Sequence, residues 1–217
     1  MIDILVVLIA YLLGAIPFGL IIARFYGIED LRAVGSGNIG ATNVLRSAGV
    51  IPALLVTILD IAKGIAAVLI ARYFGGALFA DTEYLVLLAG LAAIIGHIFS
   101  IFVNFRGGKG VNTALGVFVT LLPVPTLIAL GMFIITVLIG RYVSLGSIIA
   151  AITLPAAIII MEYFRLAVFH EVYLPVTIIL ALLIIFTHRS NIKRLMSGSE
   201  NRFSFHSKAR MEANQNG

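Results

Sequence analysis

The 217-residue sequence contains no cysteine and no tryptophan, and only 12 % of its residues are charged. Without cysteine, the chain cannot form a disulfide framework, a thiolate zinc site or an iron–sulfur cluster, and it has no cysteine nucleophile. Soluble domains are about a quarter charged, and half that charge cannot cover a soluble protein of this size. Hydrophobic residues make up 61 % of the chain, and its mean hydropathy is +1.12. The composition therefore predicts an all-α integral membrane protein.

Six apolar stretches are candidates for membrane spans, which need about 20 apolar residues each. They are residues 4–23, 51–70, 84–103, 114–139, 143–161 and 173–187. The residues before the first stretch include Asp3 but no Lys or Arg, and the stretch is longer than a signal-peptide core, so we expect it to be retained as a span. The fourth contains Pro123 and Pro125, and proline kinks or ends a helix. The chain therefore has six spans if this stretch is one kinked helix, or seven if it is two.

The distribution of basic residues favours seven spans. In that arrangement, 12 of the 15 basic residues lie on one side of the membrane. These are Arg24, Arg32, Arg46, Arg106, Lys109, Arg141, Arg189, Lys193, Arg194, Arg202, Lys208 and Arg210. Because cytoplasmic loops carry the excess of Lys and Arg, we predict an outside N-terminus and a cytoplasmic C-terminus. Residues 1–203 are predicted to form one transmembrane domain, and the polar residues 204–217 a disordered tail.

The first cytoplasmic loop, residues 35–46, reads GSGNIGATNVLR. It contains G-x-G-x-x-G, but a dinucleotide site requires a preceding strand, and here a membrane helix precedes the loop. Glycines allow backbone N–H groups to turn toward an anion, and polar side chains add hydrogen bonds to phosphate. The candidate ligands in this loop are Ser36, Gly37, Asn38, Thr42, Asn43 and Arg46. A flexible interfacial loop is the alternative.

The second cytoplasmic cluster runs from Gly96-His97 to Thr113 and includes the sequence FRGGKG at 105–110. It is not a Walker motif, which requires Ser or Thr directly after the lysine, where this chain has Gly110. A Gly-rich turn that opens a helix is still a good anion site. The candidates are His97, Arg106, Gly107, Gly108, Lys109, Gly110 and Thr113. Taken singly, Arg106 is typical of a topological anchor and His97 of a packing residue.

The third cluster follows the last span. His188, Asn191 and Arg194 are spaced three apart, so on a continued helix they share one face, and Glu200 follows them. The neighbouring Arg189 and Lys193 are equally consistent with simple anchoring to anionic lipid.

One ionisable pair lies within the second span. Asp60 and Lys63 are also three residues apart and can pair. Charged groups inside a span are costly, which makes them candidates for a functional site lining a polar cleft. A purely structural ion pair is the alternative.

The three clusters resemble the cytoplasmic motifs of the bacterial acyl-phosphate-dependent glycerol-3-phosphate acyltransferases. The matching residues are GSGNxGATN at 35–43, GH at 96–97 with FRGGKG at 105–110, and HRxNIxRL with GxE at 188–200. The resemblance extends from Tyr11 to Phe203 and departs from the family after Phe203. In the family, lysine also occurs at the position of Arg106. The resemblance implies a seven-span protein of the bacterial inner membrane, with its active site on the cytoplasmic face. The implied reaction transfers a fatty acyl group from acyl phosphate to glycerol 3-phosphate.

On this basis we predict that Ser36, Asn38, His188 and Asn191 act in catalysis. Phosphate and substrate binding is assigned to Gly37, Thr42, Asn43, Arg46, Lys63, His97, Arg106, Gly107, Gly108, Lys109, Gly110, Thr113 and Arg194. Asp60 and Glu200 are expected to support the site. No metal, cofactor, nucleic acid or obligatory protein partner is expected. The expected partners are the bilayer and the two substrates.

No conventional His-Asp base is encoded locally. The residues five positions after the four histidines are Phe102, Pro175, Lys193 and Met211, so the H-x-x-x-x-D pair of other glycerophosphate acyltransferases does not occur. A substrate phosphate is therefore a candidate proton acceptor, beside His97, His188 and Asp60. The competing function is a transporter or channel for organic phosphate, for which basic residues serve equally well as an anion filter. A membrane scaffold that binds anionic lipid explains the basic tail but not the Gly-rich loops.

Overall fold

The computed structural model describes residues 1–75 and 82–203, which form helices and connecting segments without a β-strand among them. The predicted disordered tail, residues 204–217, lies outside the described residues. Two compact units divide the described chain, Met1–Val117 and Phe118–Phe203. The prediction of a single domain over 1–203 stays a prediction.

The first unit contains α1 (Ile2–Ala15), α2 (Phe18–Phe25), α3 (Ala41–Ala48), α4 (Val50–Phe74) and α5 (Thr82–Ile98), followed by a short 3-10 helix (Ile101–Val103) and the start of α6 (Val111–Leu121). Helices α1, α4 and α5 pack against one another, and α2 and α3 pack against α4. Where α1 crosses α5, a Cβ at Gly14 would overlap with the backbone of Ala93, and one at Gly96 would overlap with that of Tyr11. Small residues thus allow the close backbone approach that holds helices together in a membrane.

The first predicted span is broken near its middle. Helix α1 ends at Ala15 and α2 begins at Phe18, with Ile16 and Pro17 between them. Proline has no backbone N–H and cannot continue the helical hydrogen-bond ladder. The break leaves the Ile16 carbonyl available to other donors inside the unit.

The second unit contains the end of α6, then α7 (Pro123–Gly140), α8 (Val143–Tyr163), α9 (Tyr173–Thr187) and α10 (Arg189–Met196). Helix α8 packs against both α7 and α9. Gly146 on α8 faces Phe133 and Val137 of α7, so this contact also depends on a small residue. The predicted effect of the prolines is seen at Leu122, which separates the end of α6 at Leu121 from Pro123, the first residue of α7.

Five helical stretches in the described chain are long and apolar enough to cross a membrane: Ile2–Phe25, Val50–Phe74, Thr82–Val103, Pro123–Gly140 and Val143–Tyr163. A sixth is obtained if α9 and α10, which meet at a 60° bend, count as one span. Helix α6 has 11 residues, about half the length needed for the hydrocarbon core. The described residues are thus those of a helical membrane protein.

Candidate active site

The Gly-rich loop of the first cluster is organised by the side chain of Asn43. Its Nδ2 donates hydrogen bonds to the carbonyls of Leu31 and Val34, each at 3.0 Å, and its Oδ1 accepts one from the backbone N–H of Ser36 at 2.8 Å. Asn43 is only 1 % exposed. Both amide hydrogens are therefore used inside the loop, and we assign Asn43 to shaping the loop rather than to contacting phosphate.

This loop exposes its first residues, Gly35 to Gly37. Gly35 has a φ of +61°, and a Cβ there would overlap with the Asn43 Oδ1, so only glycine suits the position. Ser36 and Gly37 are exposed, and the Asn38 Oδ1 accepts a hydrogen bond from the Gly40 N–H at 2.9 Å. The loop therefore presents polar groups close to a helix N-terminus, where the helix dipole favours an anion.

Helix α3 carries two more predicted ligands of the first cluster. Thr42 lies in its first turn and Arg46 in its last, and both are half-buried. A half-buried guanidinium is partly desolvated, which strengthens a bidentate contact with phosphate.

The Gly-rich turn of the second cluster folds back on the end of α5. The Gly107 N–H donates to the Ile98 carbonyl at 2.9 Å, and the Gly108 N–H donates to the His97 carbonyl at 3.0 Å. Both amides are engaged in main-chain hydrogen bonds. Anion binding by this turn must therefore rely on its cations and on the start of α6.

The other predicted ligands of this cluster differ in exposure. Arg106 is exposed and Lys109 is half-buried, while Gly110 and Thr113 are buried. A Cβ at Gly64 of α4 would overlap with the backbone of Thr113, so Thr113 lies at a tight contact between α4 and α6. The backbone of Thr113 therefore serves helix packing, and the predicted binding role of its side chain stays a prediction.

Asp60, Lys63 and His97 form a buried polar cluster within the first unit. The Lys63 Nζ lies 2.7 Å from the Asp60 Oδ1, and the His97 Nδ1 lies 3.5 Å from the same oxygen. Lys63 also donates to the Ile16 carbonyl at 3.1 Å, and its ammonium lies 5.6 Å from the centre of the Phe18 ring. The predicted Asp60–Lys63 pair therefore forms, and it is tied to the break between α1 and α2.

In the second unit, Glu200 is the acceptor for the polar groups of the third cluster. Its carboxylate receives hydrogen bonds from the Asn191 Nδ2 at 2.8 Å, the Arg194 Nε at 2.7 Å and the Ser144 Oγ at 3.1 Å. It is 7 % exposed. Ser144, on α8, was not singled out from the sequence, because a serine in an apolar helix carries no pattern that reveals a partner 56 residues away.

His188 lies at the bend between α9 and α10. Its Nδ1 is 2.8 Å from the Ile184 carbonyl, and the side chain is buried. A carbonyl only accepts, so Nδ1 carries the hydrogen. Asn191 and Arg194 thus face a common acceptor, Glu200, and the His188 Nδ1 bonds to the Ile184 carbonyl of α9.

The Glu200 interactions predict a pH-dependent contribution to stability. Burial alone raises the pKa of the carboxyl, but the hydrogen bonds from Asn191, Arg194 and Ser144 outweigh it and hold the pKa below its ordinary value of 4.5. A depressed carboxyl pKa stabilises the protein above the unfolded pKa, and this contribution is lost as the pH falls through the folded pKa.

We therefore expect Glu200→Gln to lower the free energy of unfolding near neutral pH by about 1.5–3 kcal/mol, as charge-assisted hydrogen bonds are lost. The difference from the unsubstituted protein should shrink below pH 4.5. Thermal unfolding in detergent between pH 7 and pH 3 measures both curves. A difference that stays constant over this range contradicts the assignment.

Comparison with known proteins gives consistent matches over nearly the whole chain. A family model described as glycerol-3-phosphate acyltransferase matches residues 4–198. A glycerol-3-phosphate acyltransferase of Geobacter sulfurreducens is 46 % identical over 201 residues, which cover 93 % of this chain and 97 % of the relative. One from Chlorobaculum tepidum is 42 % identical, covering 92 % of this chain and 96 % of the relative.

Two solved structures of an integral membrane glycerol 3-phosphate acyltransferase, PlsY, also match. Its glycerol 3-phosphate form is similar with a TM-score of 0.81 and 40 % identity, covering 93 % of this chain and 96 % of that one. Its lysophosphatidic acid form has a TM-score of 0.79 and 38 % identity, covering 94 % and 96 %.

Proposed function

Because the chain belongs to the glycerol-3-phosphate acyltransferase family, we propose that it transfers a fatty acyl group from acyl phosphate to glycerol 3-phosphate, releasing lysophosphatidic acid and inorganic phosphate. The observation that carries this function is the family match over residues 4–198. The function is also supported by the similarity to two solved structures, one named as a glycerol 3-phosphate form and the other as a lysophosphatidic acid form. The chain is an acyltransferase of phospholipid synthesis.

Product formation in detergent tests the function. We expect the purified protein, given glycerol 3-phosphate and a long-chain acyl phosphate, to form lysophosphatidic acid and inorganic phosphate in equal amounts. A transporter for organic phosphate needs two compartments and forms no product in detergent. Folded protein without product, combined with uptake of glycerol 3-phosphate into proteoliposomes, would establish the transporter instead.

The proposed topology has seven membrane segments, formed by α1–α2 together and by α4, α5, α6, α7, α8 and α9. It is supported by the helix break at Leu122 and by the 12 of 15 basic residues that it assigns to the cytoplasmic side. The active site lies on the cytoplasmic face of the bacterial inner membrane. Because α6 is short, at least one of its ends lies within the membrane region.

Accessible tags provide the test of this topology. We expect tags inserted at Gly40 and Ala213 to report the cytoplasm, and a tag at Thr82 to report the opposite side, because the basic loops stay inside. Each tagged protein must retain acyltransferase activity to count. A cytoplasmic signal from an active Thr82 variant contradicts the seven-segment arrangement.

The two substrate phosphates are bound by the cations of the clusters. In the first unit, Arg46 and Lys109 are the half-buried cations that accompany the two Gly-rich segments. Arg194, in the second unit, is held by Glu200 at 2.7 Å. Lys63, in contrast, binds Asp60 and the Ile16 carbonyl, so we assign it to supporting the structure around the site.

Replacing Lys109 by Ala should lower kcat/KM about ten- to a hundred-fold. The reason is the loss of charge-assisted hydrogen bonds to phosphate, worth about 1.5–3 kcal/mol. Arg46→Ala should lower kcat/KM to a similar extent. Initial rates with each substrate varied in turn give the two KM values, and Lys193→Ala, which removes an exposed cation of α10, serves as the matched control. A folded Lys109→Ala protein with unchanged kinetics would remove Lys109 from the phosphate site.

Acyl transfer is assisted by the substrate itself. The glycerol hydroxyl oxygen attacks the acyl carbon, the bond between that carbon and the phosphate oxygen breaks, and phosphate leaves with the electron pair. The hydroxyl proton passes to a phosphate oxygen, whose second pKa is near 6. Phosphate is a good leaving group, so cations and backbone dipoles suffice to stabilise the developing charge. From the sequence motifs, Ser36, Asn38 and Asn191 are assigned to hydrogen bonds with the hydroxyl and the carbonyl, and His188 to orienting the substrate.

The surroundings of the two candidate histidines support this assignment. Nδ1 of His97 faces Asp60, and its Nε2 lies directly against the position where Gly108 would carry a Cβ. Nδ1 of His188 is bonded to the Ile184 carbonyl. The His97 Nε2 is thus covered by Gly108, and the Nδ1 hydrogen of His188 is used in a main-chain contact.

A further inference from the structure

The imidazole of His97 lies between a buried carboxylate and the Gly-rich turn. On one side, its Nδ1 is 3.5 Å from the Asp60 Oδ1. On the other, a Cβ at Gly108 would overlap with Nε2, and it would also crowd two ring carbons. The ring is 8 % exposed. Gly108 therefore rests directly on the edge of this ring.

The main chain fixes the same contact from a second direction. The N–H groups of Gly107 and Gly108 donate to the carbonyls of Ile98 and His97. A Cβ at Gly107 would overlap with these carbonyl oxygens rather than with the His97 ring. Each glycine is thus required by a different part of the end of α5, and Lys109 follows directly.

Asp60 is itself held in place. The Lys63 Nζ binds its carboxylate at 2.7 Å and binds the Ile16 carbonyl at 3.1 Å. This links α4 to the break between α1 and α2. A buried carboxylate restrained in this way gives the His97 ring a fixed electrostatic partner.

We propose that His97 is a positioning residue for glycerol 3-phosphate binding: its ring, oriented by Asp60, is the surface on which Gly108 rests, and it thereby fixes the place of Lys109. This inference rests on the proposed role of Lys109 in holding phosphate. A displacement of about 1 Å in a binding group is enough to lower catalytic efficiency about a hundred-fold. His97 acts through the turn and does not contact the reacting atoms.

A double-mutant cycle between positions 97 and 108 tests the proposal. Gly108→Ala alone should raise KM for glycerol 3-phosphate about ten- to a hundred-fold, with a smaller change in kcat. In the His97→Ala background there is no ring to meet the new methyl group. In that background, Gly108→Ala should change KM no more than about two-fold, which is as small as the deviation expected between sites that do not interact.

Gly107→Ala is the matched control, because its methyl group meets main-chain carbonyls that remain when the His97 side chain is removed. Its effect on KM should be the same with His97 and with Ala at position 97. A Gly108→Ala effect that is equally large in both backgrounds would overturn the proposal. The proposal would also be overturned if His97→Ala reduced the KM effect of Gly107→Ala as strongly as that of Gly108→Ala.

Folding and the phosphate role are read out separately. If Gly108→Ala yields no folded protein, recovery of a folded monodisperse protein on adding His97→Ala supports the contact, and failure to recover it overturns the proposal. Lys109→Ala provides the independent check on function. If that variant keeps its KM for glycerol 3-phosphate, the phosphate role of Lys109 fails. The coupling of positions 97 and 108 in the midpoint of thermal unfolding then still decides whether the ring supports the turn.

Discussion

Replacing Asp60 by Asn is expected to lower the free energy of unfolding by about 3–5 kcal/mol, because it leaves the ammonium of Lys63 buried without its counter-ion. Asp60 and Lys63 are each 3 % exposed. With Asn at position 60, the ammonium retains the Ile16 carbonyl at 3.1 Å, which provides a dipole but no compensating charge. Lys63→Met leaves the Asp60 carboxylate with the His97 Nδ1, 3.5 Å away, in place of its closest cation, and should also destabilise the protein.

The double variant Asp60→Asn/Lys63→Met should lose less stability than either single variant. Removing both charges abolishes the cost of an uncompensated buried charge, whereas removing one creates it. Thermal unfolding in detergent is the measurement, and the single variants should shift Tm down by about 6–20 °C for a chain of this size. If the losses of the two single variants simply add in the double variant, the pair is not a compensated ion pair.

His188→Gln is expected to lower kcat by about a hundred-fold, at the lower end of the 10²–10⁴-fold range for removal of a general base. The proton is accepted by substrate phosphate, so the loss reflects orientation. For His97→Gln, the loss in kcat/KM should stay within the same range, and it should appear mainly in KM for glycerol 3-phosphate. In both variants, the pH–rate profile should keep both limbs, because the titrating phosphate is still present.

The contrary result for either histidine is equally specific. A loss above about 10⁴-fold, with both KM values intact and one limb of the pH–rate profile abolished, identifies that histidine as the base. Each variant must be folded and monodisperse at the assay temperature, because both rings are buried and their replacement can lower stability.

Most helix positions were predictable from local hydrophobicity, and most helix ends were not. The apolar stretches at 51–70 and 143–161 lie inside α4 and α8, because about 20 apolar residues in a row specify a membrane helix. The proline at position 123 correctly marked the start of α7. Pro17 carried the same signal for a break inside the first stretch, which was not used, although Ile2–Phe25 is one apolar span as predicted. Hydrophobicity continues across residues 16 and 17, and it does not report the backbone hydrogen bonds lost there.

Composition and motif order by themselves determined that this chain is a helical membrane protein and a member of its acyltransferase family. These properties depend on which residues occur and in what order. Local spacing also predicted the Asp60–Lys63 pair, because residues three apart on a helix are neighbours. The tertiary structure alone decided what these groups touch. Lys63 binds a carbonyl 47 residues away, and the His97 ring supports Gly108. Such contacts depend on how α1, α4 and α5 pack, and spacing along a single helix carries no information about partners on its neighbours.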